Sequence, residues 1–303
     1  MHPRFEGIIP PMITPLLGRD ILDVEGLERL VERMIQGGVS GLFALGTTGE
    51  APSHSYRLRR DLVQHTCRIV AGRVPVLVGI TDTSLAESAH LAREVAELGA
   101  SAVVTSAPFY FPAGQPELRE YLEELLPELP LPLMLYNMPA LTKVSFHEEV
   151  VSWAMDQEKI IGLKDSSGDL VYFKRMLRLA STKRPDWPLL VGPEELLAEA
   201  VLAGGHGGVN GGANLFPELY VEMFEAASSG DLTRTRELSS RILALSEAIY
   251  SVGQHGSAII KGIKCSLSIL GVCDDFMAAP FHRFHQAERE TLAQRLPQLG
   301  ISA

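Results

Sequence analysis

Apolar positions along the chain fall into two alternating kinds of stretch. Short runs rich in Val, Ile and Leu cover residues 7–13, 40–46, 74–80, 101–107, 131–137, 159–165, 187–192 and 206–212. Several show little alternation with polar residues, as strands buried on both faces of a parallel sheet do. Longer amphipathic stretches separate them, at 23–36, 53–70, 84–98, 116–126, 145–156, 169–180 and 194–202, with 216–227 after the eighth run. Ser84 with Glu87, and Ser145 with Glu148, have the spacing of a capping box. Gly37, Gly99 and Gly204 fall just past helix ends, where a left-handed residue is needed.

Eight strand–helix units, each strand needing a parallel crossover, predict an α/β protein with a (β/α)8 TIM barrel. An open doubly wound sheet is the competing architecture. Against it, no GxGxxG follows the first strand and no P-loop occurs. The strand pattern stops after Gly230. Residues 231–250, 257–270 and 278–296 have helical patterns. The expected organisation is a catalytic barrel over 1–229 and a C-terminal three-helix segment over 230–303.

Composition narrows the function. The 303 residues carry a formal net charge of -10, with no basic stripe beyond the short "RLRRD" at 57–61, so nucleic acid is not an expected partner. Three scattered cysteines, Cys67, Cys265 and Cys273, suit a reducing cytoplasm. The start "MHPRFEGIIPPMITP" lacks a signal-peptide pattern, and no apolar run approaches the roughly 18 residues of a membrane span. A cytoplasmic protein with no membrane contact is expected. HExxH, GxSxG and EF-hand patterns are missing. His282 and His285 stand three apart with no third ligand in view, so no metal site is expected.

Reactive groups of a barrel sit at the carboxyl ends of its strands. The sixth apolar run ends in Lys164, an ammonium at the last inward position of a core strand. Burying it unpaired is costly. A snorkelling lysine or a salt bridge to Asp165 would remove that cost. The alternative is an amine that must lose its proton and attack a carbonyl. The second run ends in "GTTGE" (46–50), a glycine-flanked turn of hydroxyls and N–H groups suited to a carboxylate or phosphate. The fifth ends in Tyr136, which is either a satisfied core tyrosine or a proton relay. The glycines at 204–212 either permit close packing and barrel closure or admit a ligand. Taken as one site, lysine, tyrosine and threonine turn suit a 2-keto acid.

With "GTTGE" (46–50), "YNMP" (136–139) and "GLKD" (162–165) at the ends of its second, fifth and sixth strands, nearly the whole chain resembles one family. It is the dihydrodipicolinate synthase / N-acetylneuraminate lyase family of pyruvate-dependent class I aldolases. The resemblance implies a Schiff base between Lys164 and pyruvate, or the pyruvyl half of a longer keto acid, with no other cofactor and no metal. It implies Tyr136 as general acid/base, with Thr47 and Thr48 on the carboxylate. Val209 matches the residue beside the pyruvyl group. Tyr110, in "APFYFP" (107–112), matches a tyrosine lent across a subunit interface in part of the family, whose members are usually homotetramers built as dimers of dimers.

Specificity follows from the same resemblance. The family's synthases typically carry an arginine two residues after the proline of "YNxP". Here that position is Leu141, and "YNMPAL" resembles the branch of sialic-acid lyases and keto-deoxy-sugar-acid aldolases. "GPEE" (192–195) resembles that branch's Gly-x-Asp-Glu, which would put Glu194 and Glu195 on sugar hydroxyls. Asn210 and Gly211 depart from the glycine and serine usual in the sialic-acid lyases. The expected activity is cleavage or formation of a 2-keto-3-deoxy acid from pyruvate and an aldehyde. The alternative is the synthase that condenses pyruvate with aspartate semialdehyde. A non-catalytic 2-keto-acid-binding homologue and a phosphosugar isomerase are the readings from other classes.

Overall fold

The structure, a computed structural model, describes residues 5–300. Eight parallel strands are present: β1 (Gly7–Ile8), β2 (Leu42–Ala44), β3 (Val76–Gly79), β4 (Ala102–Ser106), β5 (Leu133–Asn137), β6 (Ile160–Asp165), β7 (Leu189–Val191) and β8 (Gly207–Gly208). Their order in the sheet is β1-β8-β7-β6-β5-β4-β3-β2. The ring closes between its two ends: Pro11 bridges Phe43 in parallel, and Met12 N–H donates to the Phe43 carbonyl. This is the (β/α)8 barrel, with each expected strand at its expected place.

The lumen is filled rather than hollow. Ile9, Phe43, Leu77, Ala102, Val104, Met134, Ile161, Leu190 and Val209 form one buried cluster inside the strands. A second, larger cluster joins the outer strand faces to the surrounding helices. That double burial explains the unalternating apolar runs. The seam between β8 and β1 depends on glycine. Gly207 faces Gly7 in register and has φ +137, and a Cβ there would lie 1.9 Å from the Gly7 carbonyl oxygen.

The helices follow: α1 (Val24–Gln36), α2 (Tyr56–Val70), α3 (Leu85–Glu97), α4 (Gln115–Glu128), α5 (Glu148–Met155), α6 (Leu170–Lys183), α7 (Leu197–Leu202) and α8 (Pro217–Ser229). Three more come after α8: α9 (Leu232–Tyr250), α10 (Ala258–Ile269) and α11 (Gln286–Arg295). Ser84 caps α3 as its spacing predicts, accepting from the Glu87 N–H. Asp23, Ser55 and Asp169 cap α1, α2 and α6 in the same way.

Several boundaries differ from expectation. Ser145 caps nothing. Phe146 N–H donates to Asn137 and His147 N–H to Gln115, which hold the approach extended until α5 starts at Glu148. Gly37 is not left-handed; its neighbour Gly38 is, at φ +83. Residues 194–202 divide into a 3-10 turn, Glu194–Leu196, and α7. The stretch 278–285, which contains Pro280, is non-helical, so α11 starts only at Gln286. A small antiparallel hairpin, Leu16–Gly18 with Ile21–Leu22, was not foreseen. Among the described residues no helix is long and apolar enough to cross a membrane.

Candidate active site

The carboxyl ends of β5 and β6 lie side by side, with Tyr136 opposite Lys164 and Asn137 opposite Asp165. Successive residues point to opposite faces. Lys164 and Tyr136 therefore face the lumen, and Asn137 and Asp165 face the helices. On that outer face the Asn137 amide donates to Asp165 Oδ1 at 2.8 Å, and the Ser167 hydroxyl donates to Oδ2 at 2.9 Å. These bonds lock the two strand ends together. They also remove Asp165 as a partner for Lys164.

Lys164 is 3% exposed and, among the described residues, has no acidic partner. Its Nζ lies 4.0 Å from the centre of the Tyr136 ring and 4.9 Å from that of Phe43. Burial pulls the amine below the ordinary lysine range, and the Tyr136 hydroxyl opposes this only in part. An amine so placed has a larger neutral fraction, the form that attacks a carbonyl. The snorkelling reading does not fit a side chain this enclosed.

A cleft of about 240 Å³ opens beside Phe43 and Tyr136, the two rings that pack on Lys164, and is lined also by Thr47, Thr81, Ser106 and Leu141; Lys164 itself lies behind these rings and does not line it. Thr47 Oγ1 is 3.2 Å from the Tyr136 hydroxyl, so turn and tyrosine share a hydrogen bond. Ser106 is the register partner of Tyr136 on β4, and its N–H donates to the Thr81 hydroxyl at 2.9 Å. Thr81 and Ser106 were assigned no role from the sequence. Thr81 stands just past the end of β3, and a hydroxyl at a strand's carboxyl end is the signal the sequence offers for it. Gly79 also lines the cleft, and only glycine fits there, since a Cβ would lie 2.1 Å from the Leu45 carbonyl oxygen.

The loops around this mouth hold unusual backbone. Leu45 and Glu50 after β2, Tyr110 after β4 and Lys143 after β5 all have positive φ without being glycine. Such residues cost of order 1–3 kcal/mol each and cluster at functional sites.

The other sequence-derived candidates are distributed as follows. Thr48 is half-buried beside Thr47 and does not line the cleft. Val209 is buried in the lumen cluster that includes Tyr136. Leu141 lines the mouth and is 53% exposed. Tyr110 is 83% exposed, and its ring meets Phe111 edge-on at 4.9 Å; it does not line the cleft of its own chain.

Glu194 departs from the polyol-binding role expected for it. It is buried, and its oxygens are occupied by the Gly212 N–H (2.8 Å) and by the hydroxyls of Tyr220 (2.7 Å) and Tyr250 (3.0 Å). It ties the strand-eight loop to α8 and α9, leaving Glu195 exposed next to it. Burial pushes the Glu194 carboxyl up to about 7, the three donors opposing it. The folded chain thus holds this proton more tightly than the unfolded chain, whose glutamate titrates near its ordinary value. Its contribution to stability is present below about pH 4.5 and is lost as pH rises through about 7. A loss on the order of 3 kcal/mol is expected across that window. Denaturant unfolding of Glu194→Gln at both ends of it should show a flatter pH profile than the parent.

Among the described residues no group of three His, Cys, Asp or Glu is placed to hold a metal ion. His282 and His285 stack on each other, with ring centres 5.0 Å apart.

A closed (β/α)8 barrel with an enclosed lysine and tyrosine at adjoining strand ends has the layout of a class I aldolase. The chain belongs to the dihydrodipicolinate synthetase family, whose model matches residues 4–299, and it is a carbon–carbon lyase of that family. It is similar to a structure of dihydrodipicolinate synthase from Bacteroides thetaiotaomicron: 53% identity, 98% of this chain and 100% of that one covered, TM-score 0.95. It is also similar to YagE of Escherichia coli K12, a prophage protein solved in complex with pyruvate, at 27% identity, 98% and 99% coverage and TM-score 0.92. A further relative, at 32% identity over 85% of this chain and 86% of its own length, is the probable 2-dehydro-3-deoxy-D-pentonate aldolase YjhH of the same organism. Other relatives, from Kosmotoga olearia and Methanopyrus kandleri among others, are named 4-hydroxy-tetrahydrodipicolinate synthase.

Proposed function

We propose that this chain joins pyruvate to an aldehyde, or cleaves the corresponding keto acid, through a Schiff base on Lys164. The observation that carries the reading is the enclosed lysine, without an acidic partner, against the Tyr136 ring. Its neutral amine attacks C2 of pyruvate and water leaves. The protonated imine then draws electrons from C3 as a proton departs, giving an enamine that adds to the aldehyde carbonyl. Tyr136 moves protons to and from the reacting oxygens, and the turn of Thr47 and Thr48 holds the pyruvate carboxylate, with Thr47 on the cleft side. The imine is itself the electron sink, so chelators should not affect the rate. The similarity to a protein solved with pyruvate supports this half of the reaction.

For the acceptor the relatives favour aspartate semialdehyde. The 53%-identical structure and several other relatives bear the name of the synthase that uses it, and they back this reading better than a keto-deoxy acid. One structural observation favours the second reading, an uncharged hydroxyaldehyde. Among the described residues no Asp, Glu, Arg, His or Lys lines the cleft, and Leu141 stands at its mouth. A second carboxylate would be desolvated there without a charged partner. Comparing kcat/KM for aspartate semialdehyde, glyceraldehyde and glyoxylate, each with pyruvate, decides between them. Semialdehyde in front establishes the synthase; glyceraldehyde in front establishes the keto-deoxy aldolase. Leu141→Arg should shift preference toward the semialdehyde by about 10-fold or more, the scale of one charge-assisted hydrogen bond. No shift would mean that position 141 does not face the acceptor. Tyr110 is proposed to reach the site of a second subunit in a homotetramer; its exposure leaves it free to do so.

A further inference from the structure

The turn that carries Thr47 and Thr48 is gripped from the side away from the cleft. Glu50 ends it, in the left-handed region at φ 55. Its Oε2 accepts from the Lys264 ammonium of α10, and both side chains are completely buried. Its Oε1 accepts from the Ala278 N–H at 2.9 Å. Lys264 also donates to the Phe276 carbonyl at 2.8 Å, so residues 276–278 are strapped between the two charges. The preceding carbonyl, of Gly49, accepts from the Thr14 hydroxyl at 2.7 Å and from His54 Nε2 at 2.8 Å. That second bond requires the His54 proton on Nε2. None of these partners lines the cleft. At the other end of the turn, Thr47 meets the Tyr136 hydroxyl.

We propose that Glu50 and Lys264 are positioning residues: their pairing clamps the 46–50 turn onto the C-terminal segment and so sets the threonine hydroxyls for the carboxylate of the keto acid. The inference rests on the pyruvate reading above. A buried ion pair is a poor stability device, since an apolar pair of similar volume often does as well. A pair with both partners in place does fix one geometry. The geometry fixed here is a non-glycine left-handed bend, which persists only where its surroundings hold it. The segment after the barrel thereby reaches back to the substrate turn across 214 residues of sequence.

The test reads pyruvate binding separately from stability. Borohydride trapping is measured against pyruvate concentration, beside thermal unfolding, for the parent, the double variant Glu50→Gln/Lys264→Met and Glu50→Asp. The double variant leaves no uncompensated buried charge, and the Asp variant keeps both charges but shortens the reach by one methylene. Half-saturating pyruvate should rise about 10-fold or more in either, the scale of a misplaced hydrogen-bond donor in a desolvated site. A folded variant with parental half-saturation overturns the proposal, even if its Tm has fallen, because that is what a merely structural pair would do. Hydrogen exchange on the parent is a check that needs no variant. Pyruvate should slow exchange of the Ala278 amide, which lies on the far side of the clamp, and unchanged exchange there counts against it. If the parent itself is not trapped by pyruvate, the pyruvate reading falls and takes this inference with it. If the parent is trapped and the variants match it, this inference alone fails.

Discussion

Lys164→Met should reduce kcat by about 10⁴ or more, the scale on which deletion of a nucleophile acts. Among the described residues nothing that lines the cleft can form the imine in its place. Thr47, Thr81 and Ser106 offer hydroxyls, and no amine lines it. Lys164→Arg should not rescue activity, because a guanidinium keeps its proton. The loss should come without loss of fold. The native lysine is buried without an acidic partner, so a thioether chain of similar length removes a desolvated amine rather than a bond network. The pH dependence carries the sign of that burial. With the folded amine below its ordinary value, the unfolded chain holds the extra proton at alkaline pH, and parental stability rises there as pH increases toward about 10.5. Lys164→Met should lack that rise. Aldol turnover and denaturant unfolding, measured on the same preparations, check both parts.

Tyr136→Phe should lower turnover by about 10²–10⁴, the range for loss of a positioned acid–base group. The ring that packs on Lys164 and Phe43 is retained, so the lysine's surroundings change little. What disappears is the hydroxyl that Thr47 touches at 3.2 Å. Imine trapping should therefore persist, at a reduced rate, while turnover collapses. Normal turnover in Tyr136→Phe would remove this residue from the mechanism and leave the proton transfer to a water or to another hydroxyl of the cleft.

The barrel was legible because strands buried on both faces write themselves as unbroken Val, Ile and Leu runs, and because each ends in its own polar punctuation. Lys164 was legible for the complementary reason: an ammonium ending such a run needs an explanation. The role expected for Glu194 came from the likeness of "GPEE" to a Gly-x-Asp-Glu motif, and a motif does not show which acid is buried. Only folding brings Tyr220 and Tyr250, from two different helices, onto Glu194. Ser145 has capping-box spacing, yet the amides just after it are bound by Asn137 and Gln115, partners that no local window contains. Lys264 could be singled out as a lysine within the apolar run of α10, but its partner Glu50 lies in a turn 214 residues away. The acceptor's identity is the least legible feature. The apolar mouth and the names of the relatives point to different aldehydes.

The central claim is that Lys164 is the residue that takes pyruvate covalently. Borohydride added to the protein with pyruvate should reduce the imine, and mass analysis of the digest should place the adduct on the peptide containing Lys164, with none formed by Lys164→Met. An unmodified protein under saturating pyruvate, or an adduct on another lysine that persists in Lys164→Met, would contradict the account.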